Sequence, residues 1–207
     1  MVGSSVKPAF GGWIGVEHTV GPRKLAALAR EGIRPPFAAV YSDSARDLSD
    51  LMRRTFVAAN GHCSTPENVA AHVAAMYSPE RQAEEIRDPD TLTLIVEQDG
   101  VWAGYAQLRW GTVPPTEVVL RPTVELARIY LDEAFHGKGI AAVLVSHLLA
   151  AAKLRGSRSA WLTVWQEAPQ AIRFWRKHGF QSVGRSIFYI GDDPKEDWVM
   201  AQALPSG

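Results

Sequence analysis

The chain has 207 residues, of which 46% are hydrophobic and 21% charged, and its 22 Lys and Arg residues balance 22 Asp and Glu residues. This composition is typical of a soluble globular protein, and the length favours one domain with an appendage over two full domains. Zero net charge removes the electrostatic attraction that non-specific nucleic-acid binding requires. We therefore expect no nucleic-acid partner.

Neither a membrane span nor a secretory signal is expected. No stretch approaches the roughly 20 apolar residues that cross a bilayer, and residues 1–15 lack the sustained apolar run of a signal peptide. The single cysteine, Cys63, cannot form an internal disulfide, so nothing indicates an oxidising compartment. We expect no membrane partner and a cytoplasmic location.

Residues 1–37 differ from the rest of the chain. They contain six glycines and four prolines, a composition that disfavours packing. We interpret them as an N-terminal extension that is poorly ordered, and residues 38–207 as the folded domain.

The first half of that domain predicts a short strand, three helices and a hairpin. A strand over 38–41 leads to a helix capped by Ser42 or Asp43. Two further helices begin where a capping hydroxyl precedes a proline, at Thr65-Pro66 and Ser78-Pro79. Strands over 91–97 and 101–110 flank a turn signal at Asp99-Gly100.

The second half alternates strands and helices. A strand over 123–131 is followed by a helix with apolar residues at helical spacing from Ile140 to Ala151. A strand over 159–165, a helix over 171–177 and two strands over 180–189 and 197–204 complete the domain. The mixture indicates an α/β or α+β fold of three layers.

One segment between a strand and a helix carries a glycine-rich turn, His136-Gly137-Lys138-Gly139-Ile140-Ala141. Glycines allow backbone N–H groups to converge on an anion, and the dipole of the following helix favours negative charge. The spacing matches neither a Walker A loop nor a dinucleotide-binding fingerprint. A phosphate site and a plain connection are both compatible with this turn.

Residues 125–141 resemble the acetyl-CoA signature of the GNAT superfamily of N-acetyltransferases, Q/R-x-x-G-x-G/A, with His136, Gly139 and Ala141 in its slots. Residues 171–180 resemble the second cofactor segment of that family. The front of the domain and residues 188–200 are similar to the PaiA-type branch, which acetylates polyamines and small amines. The resemblance spans about residues 38–204 and implies a mixed, twisted sheet of about six to seven strands flanked by helices on both faces.

The resemblance also implies a set of site residues for acetyl-CoA, the expected co-substrate. The strand before the loop would contact the pantetheine arm, the loop amides the pyrophosphate, and the second segment the thioester end. The residues in these slots are Ile129, Tyr130, Leu131, His136, Gly137, Lys138, Gly139, Ile140, Ala141, Ala168 and Trp175.

Glu125 falls where several family members carry the glutamate that removes the amine proton, and a partly buried carboxylate suits that task. The alternative is a surface glutamate paired with Arg128 or Arg121. Two positions depart from the family pattern. Ala168 replaces an asparagine, and Trp175 replaces the tyrosine that protonates the leaving thiolate, a task left to water or Tyr189. Trp175 is equally compatible with a place in the core.

We therefore expect direct acetyl transfer to a primary amine of a polyamine or other small amine, with Glu125 and Tyr189 as catalytic residues. A protein or peptide N-acetyltransferase and an acyl-CoA-binding sensor without turnover are the alternatives. The six histidines show no ligand spacing, so no metal is expected. We expect Glu84 and Glu85 on an exposed helix face, and a homodimer is possible because the family often dimerises.

Overall fold

A computed structural model describes residues 37–39, 44–98, 100–116, 118 and 120–205. The predicted extension, apart from its last residue, lies outside these ranges, and so do both predicted helix caps, Ser42 and Asp43. The first described helix begins at Ala45 with Ser44 as its N-cap, one or two residues later than predicted.

The described residues form seven strands and five α-helices. In chain order these elements are β1 (Phe37–Ala39), α1 (Ala45–Asn60), α2 (Pro66–Met76), α3 (Pro79–Arg87), β2 (Thr91–Gln98), β3 (Val101–Trp110), β4 (Thr123–Leu131), α4 (Ile140–Leu154), β5 (Ser159–Trp165), α5 (Pro169–Lys177), β6 (Gln181–Ile190) and β7 (Asp193–Ala203). The mixed α and β architecture predicted from the sequence is confirmed.

The strands form one sheet in the order β1-β2-β3-β4-β5-β7-β6. All neighbouring strands are antiparallel except β4 and β5, which are parallel and joined by α4. A parallel pair needs such a crossover connection, and the helix supplies it. The only parallel pair among the described strands therefore lies in the middle of the sheet.

Local signals predicted most of the boundaries. The hydroxyls of Thr65 and Ser78 accept hydrogen bonds from the third residue of α2 and α3, and each helix begins with a proline. The predicted start of β7 at Asp197 is wrong, because the strand begins at Asp193 and includes Pro194. Proline is tolerated there because β5 pairs with β7 only from Asp197 onward.

The sheet separates two apolar cores. One core lies beneath α4 and α5 and contains buried residues of both helices, such as Leu148 and Trp175. The other lies beneath α1 and α2 and contains Leu51, Phe56 and Tyr105. Side chains alternate across a strand, so successive residues such as Tyr105 and Ala106 point to opposite cores.

Glu85 carries the ion-pair cluster that joins α3 to the sheet. Its carboxylate accepts hydrogen bonds from Arg128 at 2.7 Å, Arg109 at 2.8 Å and Gln107 at 3.0 Å. Burial alone would raise the pKa of Glu85, but the two guanidinium groups and the Gln107 amide outweigh it and hold that pKa below its ordinary value. The expectation of an exposed face is wrong for Glu85, whereas Glu84 is exposed.

Replacing Glu85 with Gln should lower the free energy of unfolding by about 3 kcal/mol, because the buried guanidinium of Arg128 then lacks its carboxylate partner. The corresponding fall in Tm is about 9 °C for a domain of this size. A lowered pKa stabilises the fold above the pKa of the unfolded chain, and this contribution is lost as the pH falls through the folded value. The difference from wild type should therefore shrink in acid.

Thermal unfolding followed by circular dichroism at neutral and acidic pH measures both effects. Glu84→Gln is the matched control, since that exposed neighbour should change stability by less than about 0.5 kcal/mol. Equal Tm values for the two variants would contradict the role assigned to Glu85.

Candidate active site

The pairing between β4 and β5 stops after three residue pairs, and the last pair joins Glu125 to Trp161. Beyond it β4 continues to Leu131 and β5 to Trp165, but no ladder joins the two strands. A notch therefore opens in the middle of the sheet, directly beyond Glu125. On that side the backbone of β4 has no strand partner within the described chain.

A β-bulge in β4 lies at the point where the strands part. Gln107 of β3 pairs with Arg128, whereas Leu108 pairs with Leu126, so Ala127 is an extra residue in the ladder. A bulge bends its strand and increases the local twist. It also shifts the alternation of side chains, so that Glu125 and Arg128 share one face of the sheet.

Residues 129–131 form the β4 edge of this notch. Ile129 and Leu131 pack against the core beneath α4 and α5. Tyr130 points to the opposite face, where its ring stacks on Tyr105 at 5.7 Å between centroids and its hydroxyl accepts a hydrogen bond from Asn60 at 3.3 Å. The side chains of this segment thus pack on both faces of the sheet, and its backbone forms the edge between them.

The glycine-rich turn connects β4 to the N-terminus of α4. Gly137 and Gly139 have φ values of +74° and +78°, and nothing lies within 4 Å of a Cβ built on either residue. Gly139 is the N-cap of α4, so the amides of Ile140 and Ala141 follow it without an intrahelical acceptor. The turn therefore presents open space beside free helix N–H groups.

The two long side chains of the turn are directed differently. The His136 ring donates from Nε2 to the Leu131 carbonyl at 3.0 Å, an interaction that joins the turn to the end of β4. The ammonium group of Lys138 lies 4.9 Å from the centre of the Phe135 ring and is exposed. His136 therefore holds the turn in place, and Lys138 adds a positive charge to it.

The second segment with predicted cofactor contacts begins α5. Ala168 is the N-cap of this helix and supplies no side-chain cap, as the sequence predicts. Trp175 is 6% exposed and packs edge-on against Phe174 and Phe180, with ring centroids at 5.0 and 5.3 Å. The indole of Trp175 is thus a side chain of the core beneath α4 and α5.

Glu125 is half-buried and faces Arg109 in the β3–β4 ladder. Burial raises the pKa of Glu125, although the guanidinium groups of Arg109 and Arg128 and the hydroxyl of Thr112 limit the rise. The predicted alternative was a surface pair with Arg128 or Arg121, but among the described residues no ion pair joins Glu125 to either arginine, and Arg128 binds Glu85. Glu125 is a carboxylate in low-dielectric surroundings at the closed end of the notch.

A second buried carboxylate, Asp197 of β7, lies on the same face of the sheet and was missed by the sequence reasoning. It is 5% exposed, and burial raises its pKa to about 6, with the Thr163 hydroxyl limiting the rise. The sequence carries only a weak signal for it, a charge directly before the apolar run Trp198-Val199-Met200.

This face is bridged by contacts between the α1–α2 connection and the β6–β7 turn. The Ser64 hydroxyl donates to the Asp193 carboxylate at 2.6 Å, and the Asp192 amide donates to the Asn68 side chain at 3.2 Å. A Cβ at Gly191 would lie 2.5 Å from Asn68, so only glycine permits this approach without rearrangement. The two segments together close one end of the face.

Tyr189, the other predicted catalytic residue, is not brought together with Glu125. Its neighbour Phe188 contacts His72 of α2, with ring centroids 5.4 Å apart, and Ile190 is buried in the core beneath α1 and α2. Strand alternation directs Tyr189 to the opposite face, where it is 57% exposed.

Among the described residues, two kinds of feature are absent. No cluster of three or more His, Cys, Asp or Glu side chains has the arrangement needed for a metal ion. Within the same ranges, none of the helices has the length and apolar character to cross a membrane.

Comparison with known proteins agrees with this architecture. The profile of the acetyltransferase (GNAT) family matches residues 46–180. An uncharacterized N-acetyltransferase of Mycobacterium tuberculosis is 36% identical over 160 residues, which cover 77% of this chain and 97% of that protein. An uncharacterized N-acetyltransferase of Lactobacillus delbrueckii subsp. lactis is 26% identical over 164 residues, with coverage of 78% and 94%.

Solved structures share the fold at lower sequence identity. The PaiA N-acetyltransferase of Thermoplasma acidophilum, solved in complex with coenzyme A, superposes with a TM-score of 0.67 at 19% identity. The match covers 81% of this chain and 97% of that one. The family profile spans the notch, the glycine-rich turn and α5. The chain therefore belongs to the GNAT family of N-acetyltransferases.

Proposed function

We propose that this chain transfers an acetyl group from acetyl-CoA directly to a primary amine of a small molecule, with Glu125 as general base. Acetyl-CoA dependence follows from membership of the GNAT family. The observation that carries the finer proposal is the end of β4–β5 pairing at Glu125, which puts a half-buried carboxylate at the head of the notch.

The residues of the glycine-rich turn fit the pyrophosphate of acetyl-CoA. The space beside Gly137 and Gly139 is open, and the first amides of α4 are free to donate hydrogen bonds. The positive end of the helix dipole and the Lys138 ammonium favour an anion at the same place. Fixed backbone donors also lose little entropy when a ligand binds.

The unpaired edge of β4 fits the pantetheine arm, whose amide groups can replace a missing strand partner. Backbone groups of Ile129 and Leu131 are suited to this role because buried backbone polar groups need hydrogen-bond partners. Ala168 and Trp175 would border the arm from α5 through apolar contact. The hydrogen bond that an asparagine at Ala168 would supply is absent from this arrangement.

Glu125 provides the proton acceptor that the reaction requires. A protonated amine has no lone pair for attack, so its proton must first move to a base. Burial favours the neutral carboxyl group, which gives Glu125 a higher affinity for that proton than an exposed glutamate has. Arg109, opposite Glu125 in the ladder, limits this rise in the pKa of Glu125.

Bound acetyl-CoA supplies an acetyl thioester, whose C–S bond breaks as the C–N bond to the amine forms and whose sulfur leaves as a thiolate. We assign the return of a proton to this thiolate to water, because Tyr189 lies on the other face of the sheet. Burial raises the pKa of the Cys63 thiol, which disfavours the thiolate that an acyl-enzyme route would need. These features favour one direct transfer without an acyl-enzyme.

The face of the sheet that carries Glu125 is bridged by contacts that favour a small acceptor amine over a peptide. A peptide substrate must extend beyond the site as a chain, which requires an open groove. Here the hydrogen bonds from the Ser64 hydroxyl to Asp193 and from the Asp192 amide to Asn68 join the two segments that would border such a groove. We therefore place polyamines and other small amines before peptides, as in the PaiA-type branch.

Two further expectations remain predictions. We propose a cytoplasmic location on the grounds of composition and the lone free thiol of Cys63. The homodimer implied by the family resemblance is also a prediction.

Gly139→Asp should abolish detectable coenzyme A binding, because it adds a negative charge at the anion site. Isothermal titration calorimetry with coenzyme A measures the loss. Gly100→Asp is the control, since Gly100 has a similar φ of +76° and open space around it but lies in the β2–β3 hairpin. Unchanged affinity in Gly139→Asp would refute the assignment of the turn.

Glu125→Gln should lower kcat by about 100-fold or more, the usual contribution of a general base. Because the wild-type base works only when deprotonated and its pKa is raised, kcat of the wild type should rise with pH through a value above that of an ordinary glutamate. The variant should lack this limb of the pH profile. Thiol release from acetyl-CoA, followed with a colorimetric reagent across an amine panel, measures both quantities.

The panel contains spermidine, spermine, alkyl and aryl amines, amino acids and short peptides. Glu97→Gln, an exposed change on β2, should leave the rate within about twofold of wild type. A normal rate and pH profile in Glu125→Gln would exclude Glu125 as the base. Coenzyme A binding without thiol release for any amine would favour the sensor over the enzyme.

A further inference from the structure

We propose that Asp197 is a specificity-determining residue that binds a second ammonium group of the acceptor, so that diamines and polyamines are preferred over monoamines. This inference rests on the proposed function and assigns a role to a residue outside the notch. It is carried by the burial, the missing partner and the position of Asp197.

Asp197 is a buried carboxylate that forms no ion pair with any residue the structure describes. It is 5% exposed, and its Oδ1 atom has no hydrogen-bond partner among the described residues. Glu85, by contrast, is a buried carboxylate that forms ion pairs with Arg128 and Arg109. Since burying an unpaired charge is costly, Asp197 favours a cation supplied from outside the chain.

Lys195, a basic side chain on the same face, is already paired. Lys195 precedes Asp197 by two residues, and its ammonium group binds Asp193 at 2.8 Å. The Thr163 hydroxyl hydrogen-bonds the carboxylate, and the charge of Asp197 helps to raise the pKa of the Tyr130 phenol. Neither group is a cation. With a pKa of about 6, Asp197 is itself charged at neutral pH.

The position of Asp197 separates it from the reacting amine. Asp197 pairs with Trp165 and Glu125 pairs with Trp161, so four residues of β5 and two strand spacings lie between the two carboxylates. These steps amount to about 13 Å along the strands and about 10 Å across them. One nitrogen cannot bind both groups, because each hydrogen bond spans only about 3 Å.

Aromatic side chains lie around the same place. Trp165 is the direct cross-strand neighbour of Asp197, and the His62 ring stands edge-on to Trp165 with centroids 6.5 Å apart. Tyr130 is within electrostatic reach of the Asp197 carboxylate. Aromatic rings beside a carboxylate suit an alkylammonium ion, whose methylene groups contact the rings while its charge meets the oxygen atoms.

The test compares 1,8-diaminooctane with octylamine, two acceptors of equal length that differ in the distal ammonium group. Wild-type kcat/KM should be about tenfold or more higher for the diamine, the range expected for a hydrogen bond to a charged group. Asp197→Asn should raise KM for the diamine about tenfold, leave its kcat within about twofold, and leave octylamine unaffected. Glu125→Gln should instead lower kcat for both amines.

Asp192→Asn is the matched control, because it removes the same charge from an exposed residue of the neighbouring turn. Circular dichroism and coenzyme A affinity establish that the Asp197→Asn protein is folded. Equal losses for both amines in Asp197→Asn, or no loss for either, would overturn the proposal.

Direct binding separates this proposal from the proposed function. Calorimetric titration of the coenzyme A-bound protein with 1,8-diaminooctane should give heat in the wild type and about tenfold weaker binding in Asp197→Asn. Binding of this kind without thiol release would reject the acetyl transfer and retain the ammonium site. Failure of the wild type to bind the diamine would reject the ammonium site.

Discussion

The organisation of this protein depends on the parting of two parallel strands. A sheet is stable when the backbone groups of neighbouring strands satisfy one another, and β4 and β5 do so for only three residue pairs. The bulge at Ala127 bends β4 where the pairing ends, and the rest of the strand is left with an edge inside the sheet. An edge in the interior favours a ligand with backbone-like polar groups. Acetyl-CoA is a co-substrate with such groups, in the amides of its pantetheine arm.

Three buried carboxylates show how neighbouring charges determine what a similar chemical group does. Glu85 is surrounded by guanidinium groups and acts as a structural anchor for α3. Glu125 is limited in its pKa rise by Arg109 and lies at the head of the notch, which suits a base. Asp197 is opposed by no cation of the described chain and is suited to hold one. Burial is common to the three residues, and the difference lies in the surrounding side chains.

The sequence predicts what is encoded locally. Proline after Thr65 and Ser78 predicted two helices, and the glycines at 137 and 139 predicted the tight turn between β4 and α4, because such signals act within one turn of chain. Side chains that meet through tertiary contacts were missed or misplaced. Glu85 was assigned to solvent because its arginine partners come from β3 and β4, and Asp197 was missed because its burial results from strands and helices distant in sequence. The start of β7 at Asp193 also depends on a tertiary contact, because residues 193–196 pair with β6 and not with β5.

The division of the molecule by its sheet has a consequence for how such a protein diverges. The turn at 136–141 and α4 are supported by one core, whereas α1, α2 and Ile190 at the β6–β7 turn are supported by the other. Sequence changes in the second group alter the surroundings of Asp197 and the bridge from Ser64 to Asp193 while leaving the first group packed. Natural variation in the second group can therefore change which amine fits the site while the turn and α4, the expected acetyl-CoA site, keep their packing.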